Sequence, residues 1–423
     1  MSKRGENINM IEEIVKQAEL DCSNEHQKIN EIVEKTQKRV LDAFINNRIS
    51  DSHFSSTTGY GYDDLGRDAL ESVYADVFGG EDALVRPQIV SGTHAIATTL
   101  FGLLRPNDEL IYITGKPYDT LEEVIGIRGN NAGSLKDYDI KYQEVRLNDA
   151  GAVDFPAVQR AITADTKVIG IQRSKGYDDR PSFTIKEIAE MVRFVKEINP
   201  EIIIFVDNCY GEFVEEQEPL HVGVDIMAGS LIKNPGGGIV RAGGYIVGRE
   251  DLIMQCGNRL TAPGLGKETG ATFNMLQEMY QGLFLAPHIV GQALKGAVFT
   301  ARFLELVGFK TSPHYQANRT DLIQSVTFPN AEQMVAFCQA IQRNSPVNSY
   351  VTPYPSEMPG YEDKVIMAAG TFIQGSSIEL SADGPIRAPY TAFVQGGLTY
   401  EHVKIALIES VKSLIKQGFI KLK

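Results

Sequence analysis

Cysteine is scarce in this chain of 423 residues, and the four present, Cys22, Cys209, Cys256 and Cys338, are widely scattered. No C-x-x-C pair occurs, which argues against a disulfide scaffold and a structural zinc site. None of the seven histidines forms an H-x-x-x-H pair, so no metal is expected. Long apolar runs are missing too. The longest aliphatic stretch, Ile202–Val206, is far short of the roughly 20 residues that a membrane span needs. The opening Met-Ser-Lys-Arg-Gly-Glu-Asn has no signal-peptide core, so a cytoplasmic location is expected. Basic residues are in deficit: 41 Lys and Arg against 54 Asp and Glu, a formal charge of −13. That argues against nucleic acid or an anionic membrane as partner, because phosphate-binding surfaces are basic. It leaves room for one small anion in a local pocket. Nucleotide signatures are absent as well. Gly59-Tyr-Gly61 is followed only by Gly66, Gly264-Leu-Gly266-Lys-Glu-Thr-Gly270 misses G-x-G-x-x-G by one residue, and no G-x-x-x-x-G-K-[ST] occurs.

What is present is an ordinary globular composition, 43% hydrophobic and 22% charged, with length for two or three domains. Residues 8–48 read as a helical arm, with Ile29, Ile32, Val33, Thr36, Val40 and Phe44 at three- and four-residue spacing. Its apolar stripe must be covered, and a partner subunit is one candidate cover. Residues 55–64 form a turn-rich loop. Helices are then predicted over 68–78, 93–104 and 185–198, with short strands at 109–113, 141–147, 167–172, 202–207 and 245–247. This alternation implies an α/β domain with a mostly parallel sheet covered on both faces. From about residue 290 the pattern changes: helices at 293–307, 331–343 and 400–417, with strands near 321–328, 365–372 and 377–381. The expected domains are an arm and loop (1–60), a large α/β domain (61–288) and a smaller α+β domain (289–423).

Three local features carry chemistry. Ser91-Gly92-Thr93 stands at a strand-to-helix junction, where glycine permits close backbone approach and a helix start offers free N–H groups to an anion. Asp207 ends the most apolar strand, at the edge where open α/β sheets bind ligands. Lys233 lies between an apolar segment and Gly236-Gly-Gly238, with Ser230 three residues before it. A partly desolvated lysine can act as a nucleophile and form a Schiff base. Each feature also has a plainer reading: a helix cap, a turn residue and a solvated surface lysine.

The order of anion cradle, strand-end aspartate and lysine 26 positions later resembles the fold-type-I pyridoxal-phosphate enzymes. More narrowly, the chain is similar to the methionine gamma-lyase-like family of candidate cystathionine beta-lyases linked to aluminium resistance. The likeness rests on Gly59-Tyr-Gly-Tyr-Asp-Asp-Leu-Gly-Arg67, Ile171-Gln-Arg-Ser-Lys-Gly176, Ser230-Leu-Ile-Lys-Asn-Pro-Gly-Gly237 and Gln395-Gly-Gly-Leu-Thr399. It implies an aspartate-aminotransferase-like fold and pyridoxal 5'-phosphate as cofactor. The implied activity is carbon–sulfur lysis of a cystathionine- or methionine-type substrate, giving a 2-oxo acid, ammonia and a thiol. Another pyridoxal-phosphate reaction (transamination or aldol cleavage) or a non-catalytic binding role are the alternatives. By the same resemblance, Lys233 would form the Schiff base and Asp207 would pair with the ring nitrogen. Ser91, Gly92, Thr93 and Ser230 would hold the phosphate. Tyr118 would stack on the ring and serve as an acid. Tyr60 or Tyr62 would reach a neighbouring subunit's phosphate in a homodimer or homotetramer. Arg387 would bind the substrate carboxylate, with Arg173 and Arg180 competing for that role or for the ring hydroxyl. The chain departs from better-known lyases at Ile232, where threonine is usual, at Thr93-His94, where an apolar pair is usual, and at the tyrosine loop, whose arginine, Arg67, stands further on.

Overall fold

The computed structural model describes residues 3–61, 63–130, 132–178, 180–358 and 361–422. The chain divides into two compact units: Thr36–Leu285, and the stretch up to Lys35 together with Ala286–Lys423.

The first unit is built on a seven-stranded sheet. Its strands are β1 (Asp82–Arg86), β2 (Glu109–Tyr112), β3 (Lys141–Glu144), β4 (Thr166–Gln172), β5 (Ile203–Asp207), β6 (Ile226–Ser230) and β7 (Gly244–Gly248). They lie in the order β1-β7-β6-β5-β4-β2-β3. The run β3-β2-β4-β5-β6 is parallel; β7 pairs antiparallel with β6, and β1, antiparallel to β7, runs in the direction of the parallel set. All five residues of β5 are buried, as expected of a strand covered on both faces. Asp207, the last residue of β5, pairs with Ala228, and β6 runs two residues further to Ser230.

Helices connect the strands: α1 (Lys3–Asn46) leads into the unit, followed by α2 (Leu65–Phe78), α3 (Gly92–Leu103), α4 (Asp119–Ile125), α5 (Phe155–Ala161), α6 (Ile185–Ile198) and α7 (Glu250–Leu260). Their starts are chemically specified. Asp64, Ser91, Asp154 and Thr184 each accept a backbone N–H from the first turn, which satisfies otherwise orphaned donors. Helix α3 packs closely on α7 because Gly102 has no side chain; a methyl there would sit 3.2 Å from the Cys256 Cα.

Helix α8 (Leu276–Val307) leads into the second unit, which holds β8 (Lys310–Ser312), β9 (Gln324–Thr327), α9 (Ala331–Arg343), β10 (Val365–Ala368), β11 (Ser381–Pro385), β12 (Thr391–Gln395) and α10 (Tyr400–Lys416). Its five strands run β10-β11-β12-β9-β8, antiparallel throughout. The beginning of the helical arm belongs to this unit's core: Ile11, Val15 and Ala18 are buried with Phe299, Phe303, Phe337 and Leu407. Further along, Val40 and Ala43 are buried and Phe44 packs edge-on against Tyr280 and Phe284 in the first unit. The stripe is thus covered by this same chain.

Several elements differ from expectation. Helix α8 begins 17 residues earlier than read from the pattern and runs through Pro287. Residues 377–380 are not a strand; β11 starts at Ser381. Strands β1, β6, β8 and β12 and helices α4, α5 and α7 were not anticipated. By length and composition α8 is apolar enough to cross a membrane, yet 67% of its most apolar window is buried inside the protein.

Candidate active site

At the C-terminal edge of β5, Asp207 is almost wholly buried. Its Oδ1 accepts the Cys209 N–H at 3.1 Å. Burial raises its carboxyl above the ordinary carboxylate value. The Cys209 bonds and the positive charges of Lys233 and Arg180 oppose that rise. One strand over, Lys233 opens the turn that follows β6 and is half-buried. Its Nζ lies 3.7 Å from the centre of the Tyr210 ring, a cation–π distance. Burial alone would lower its pKa, but Tyr210, Cys209 and Asp207 outweigh burial and raise it.

The candidate anion cradle lies against these groups. Ser91 is the N-cap of α3, its Oγ accepting the His94 N–H at 3.1 Å, and Gly92 begins the helix. A methyl at Gly92 would lie 3.4 Å from both Cys209 Sγ and Ser230 Cβ. The helix start therefore abuts the ends of β5 and β6, where its N–H groups and dipole favour an anion. Ser230 is buried, and its Oγ has no hydrogen-bond partner. A buried hydroxyl of this kind requires explanation, and an anionic oxygen at the helix start would satisfy it. The Thr93 hydroxyl lies 3.0 Å from that of Thr120 in α4. That contact ties α3 to the helix capped by Tyr118. The Tyr118 ring lies 6.2 Å from that of Tyr177, against Gly176.

The three arginines sit in different settings. Arg173 is fully buried, with Nη1 donating to Asn208 Oδ1 and Gly211 O and Nη2 to Glu215 Oε1. Arg180 donates to the carbonyls of Gln172, Ser174 and Pro181 and lies over the Phe183 ring. Arg387, in the second unit, is 53% exposed and ion-paired with Asp363 at 3.0 Å. Tyr60 is 78% exposed and forms an antiparallel bridge with Thr269. Tyr62 lies outside the described residues.

Sequence reasoning passed over Tyr210, Glu212 and Arg86. Tyr210 has φ of 73°, a left-handed conformation that carries strain in a bulky residue and collects at functional sites. Glu212 is a fully buried carboxyl with one oxygen unpartnered. A carboxylate inside the apolar run Tyr210-Gly-Glu-Phe-Val214 was the available signal. Arg86, buried beside Glu71, donates to the carbonyls of Lys267 and Thr269.

A methionine gamma-lyase family model matches residues 11–415. The chain is 64% identical over 412 residues to an uncharacterised Bacillus subtilis protein, YnbB, covering 97% of this chain and 98% of that one. It is similar to the solved structure of a candidate cystathionine beta-lyase involved in aluminum resistance from Listeria monocytogenes, with 62% identity, a TM-score of 0.94 and coverage of 95% and 99%. A carbon-sulfur lyase involved in aluminum resistance from Clostridium novyi is 46% identical, with a TM-score of 0.92 and coverage of 98% and 100%. A pyridoxal-5'-phosphate dependent protein from Escherichia coli shares the fold at 19% identity, with a TM-score of 0.61 and coverage of 91% and 97%.

Proposed function

The chain belongs to the methionine gamma-lyase family, and from this we propose that it is a pyridoxal-phosphate-dependent carbon–sulfur lyase acting on a sulfur-containing amino acid in the cytoplasm. The supporting observation is the unpartnered, buried Ser230 hydroxyl at the end of β6 beside the start of α3, with Asp207 at the end of the neighbouring β5 and Lys233 three residues further along the turn. An anionic phosphate fits the hydroxyl and the helix N–H groups, and a cationic ring nitrogen fits a buried carboxylate.

In this reading Ser91, Gly92, Thr93 and Ser230 hold the phosphate, Asp207 holds the ring nitrogen and Lys233 is the attachment point. When bound, the cofactor supplies an electron sink for negative charge at the substrate Cα. Lys233 Nζ takes the Cα proton, a general-base step worth roughly 10²–10⁴-fold. Tyr118 delivers a proton to the departing sulfur. Asp207, desolvated at the strand end, keeps its partner nitrogen protonated. By the family resemblance Arg387 is the candidate for the substrate carboxylate, which a guanidinium can bind bidentately; here it is exposed and paired with Asp363. Arg173 instead fixes the 208–218 turn, because its donors already meet three acceptors there.

The test is direct. Purified protein given pyridoxal phosphate should become yellow, and Lys233→Ala should stay colourless. Incubation with L-cystathionine, L-methionine and L-cysteine should release a 2-oxo acid and ammonia without a second keto acid. Turnover that needs a keto acid would make it an aminotransferase. A protein that never takes up the cofactor would sink the proposal.

A further inference from the structure

Behind Lys233 lies a carboxyl for which the reaction above has no use. Glu212 follows β5 by five residues and is fully buried. Its Oε1 accepts the Tyr245 hydroxyl at 2.6 Å, while Oε2 has no partner. Tyr245 belongs to β7, and its ring covers Gly229, the residue before Ser230: a methyl at Gly229 would lie 2.6 Å from that ring. On the other side, the backbone carbonyl of Glu212 accepts the Asn234 side-chain N–H at 3.0 Å. Asn234 is the residue after Lys233, buried, and its Oδ1 is also unpartnered. One residue therefore joins the strand that leads to the lysine, the turn that leaves it and the turn that carries Tyr210 beneath its ammonium.

We propose that Glu212 is a positioning residue for Lys233. Its neutral carboxyl fixes the β7 side of the lysine through Tyr245 while its main-chain carbonyl holds Asn234 on the other, and when ionised the carboxylate favours the ammonium form of Lys233 and slows its use as a nucleophile.

The electrostatics agree. Burial pushes the Glu212 carboxyl up to about 8; the Tyr245 hydrogen bond and Lys233 oppose this rise, and Glu218 adds to it. Tyr74 from α2 and Cys209 also feel its charge. Near pH 7 the group is therefore protonated. Above pH 8 it becomes an anion in a desolvated pocket, where its attraction for Lys233 is weakly screened. Its folded pKa exceeds its ordinary value of 4.5, so the folded chain binds the extra proton between the two. Its stability contribution falls as pH rises from about 4.5 to about 8 and levels off above that.

The inference rests on the proposed use of Lys233, and two readouts separate its failure from failure of that reading. The first uses cofactor-free protein. The thermal midpoint of wild type should decline from pH 5 to 8 relative to Glu212→Gln, which is nearly isosteric and cannot ionise. Tyr245→Phe, by removing the donor that lowers the Glu212 pKa, should extend the decline to higher pH. Superimposable curves would overturn the ionisation. The second is the rate at which pyridoxal phosphate is captured, followed by visible absorbance. Glu212→Gln and wild type should match at pH 6. The variant should be faster above pH 8, by about tenfold for each pKa unit that the carboxylate adds to the lysine. A ratio constant with pH would overturn the link to Lys233. Absence of any visible band in wild type would remove the cofactor reading instead.

Discussion

Ser230 decides more about this protein than its size suggests. Its hydroxyl is enclosed and unpartnered, so removing it costs the cofactor-free fold nothing in lost hydrogen bonds. A hydrogen bond to a charged partner contributes about 1.5–3 kcal/mol. Ser230→Ala should accordingly leave the thermal midpoint of the cofactor-free protein unchanged and weaken cofactor binding roughly 10- to 100-fold. Titrating cofactor-free protein with pyridoxal phosphate would check this, and equal affinity in the variant would refute the phosphate role. Asp207→Ala makes a complementary prediction: cofactor is retained but most turnover is lost, measured as 2-oxo acid formed per bound cofactor. Asp207, Ser230 and Lys233 were legible because each interrupts an apolar segment, where a polar side chain needs a reason. Tyr210 and Glu212 were harder to see. Their meaning comes from a ring under Lys233 and a hydroxyl reaching across from β7, and no local spacing encodes a contact between residues 212 and 245.

At the scale of elements, periodicity worked where a helix carries its own signals. The predicted spans 185–198 and 331–343 coincide with α6 and α9. Thr184 with Glu187 makes a capping box, and Asn330 caps the other helix. It failed for β6, whose Ile-Met-Ala-Gly-Ser reads as a weak strand. That strand forms because β5 and β7 supply partners on both sides and Gly229 admits the Tyr245 ring. The loop at 55–64 and the glycine-rich segment at 264–270 lie far apart in sequence, yet they pair. Gly270 N–H donates to Gly59 O and Gly61 N–H to Glu268 O. Arg86 fastens the second segment through the Lys267 and Thr269 carbonyls while bound to Glu71, both side chains about 1% exposed. Removing Arg86 takes away the main partner of the buried Glu71 carboxylate and leaves it to the Lys267 ammonium 3.4 Å away. Arg86→Ala should cost about 3–5 kcal/mol in chemical denaturation and make the 261–271 segment a preferred site of proteolysis. A loss below about 1 kcal/mol, in the range of exposed pairs, would show the pair to be dispensable.

For the whole molecule, a charge of −13 and an anion-binding site are compatible. The acidic excess is a property of the total surface, whereas the proposed cradle would use only a helix start, one lysine and one hydroxyl. The same scale governs assembly. Tyr60 is held by its bridge to Thr269 yet stays 78% exposed. A fixed loop presenting an unburied aromatic ring suits a residue that serves another copy of the chain. We propose a homodimer or a dimer of dimers in which Tyr60 reaches the phosphate of the neighbouring site. Mixing two impaired variants separates this from a site complete within one chain. Lys233→Ala lacks the attachment point but keeps Tyr60, while Tyr60→Ala does the reverse. In a two-fold dimer, a mixed pair regains one intact site from two defective chains. After subunit exchange, an equal mixture should recover roughly a quarter of wild-type activity. If the site is complete within one chain, the mixture would show only the average of the two variants, and an active monomer in size-exclusion chromatography would lead to the same conclusion.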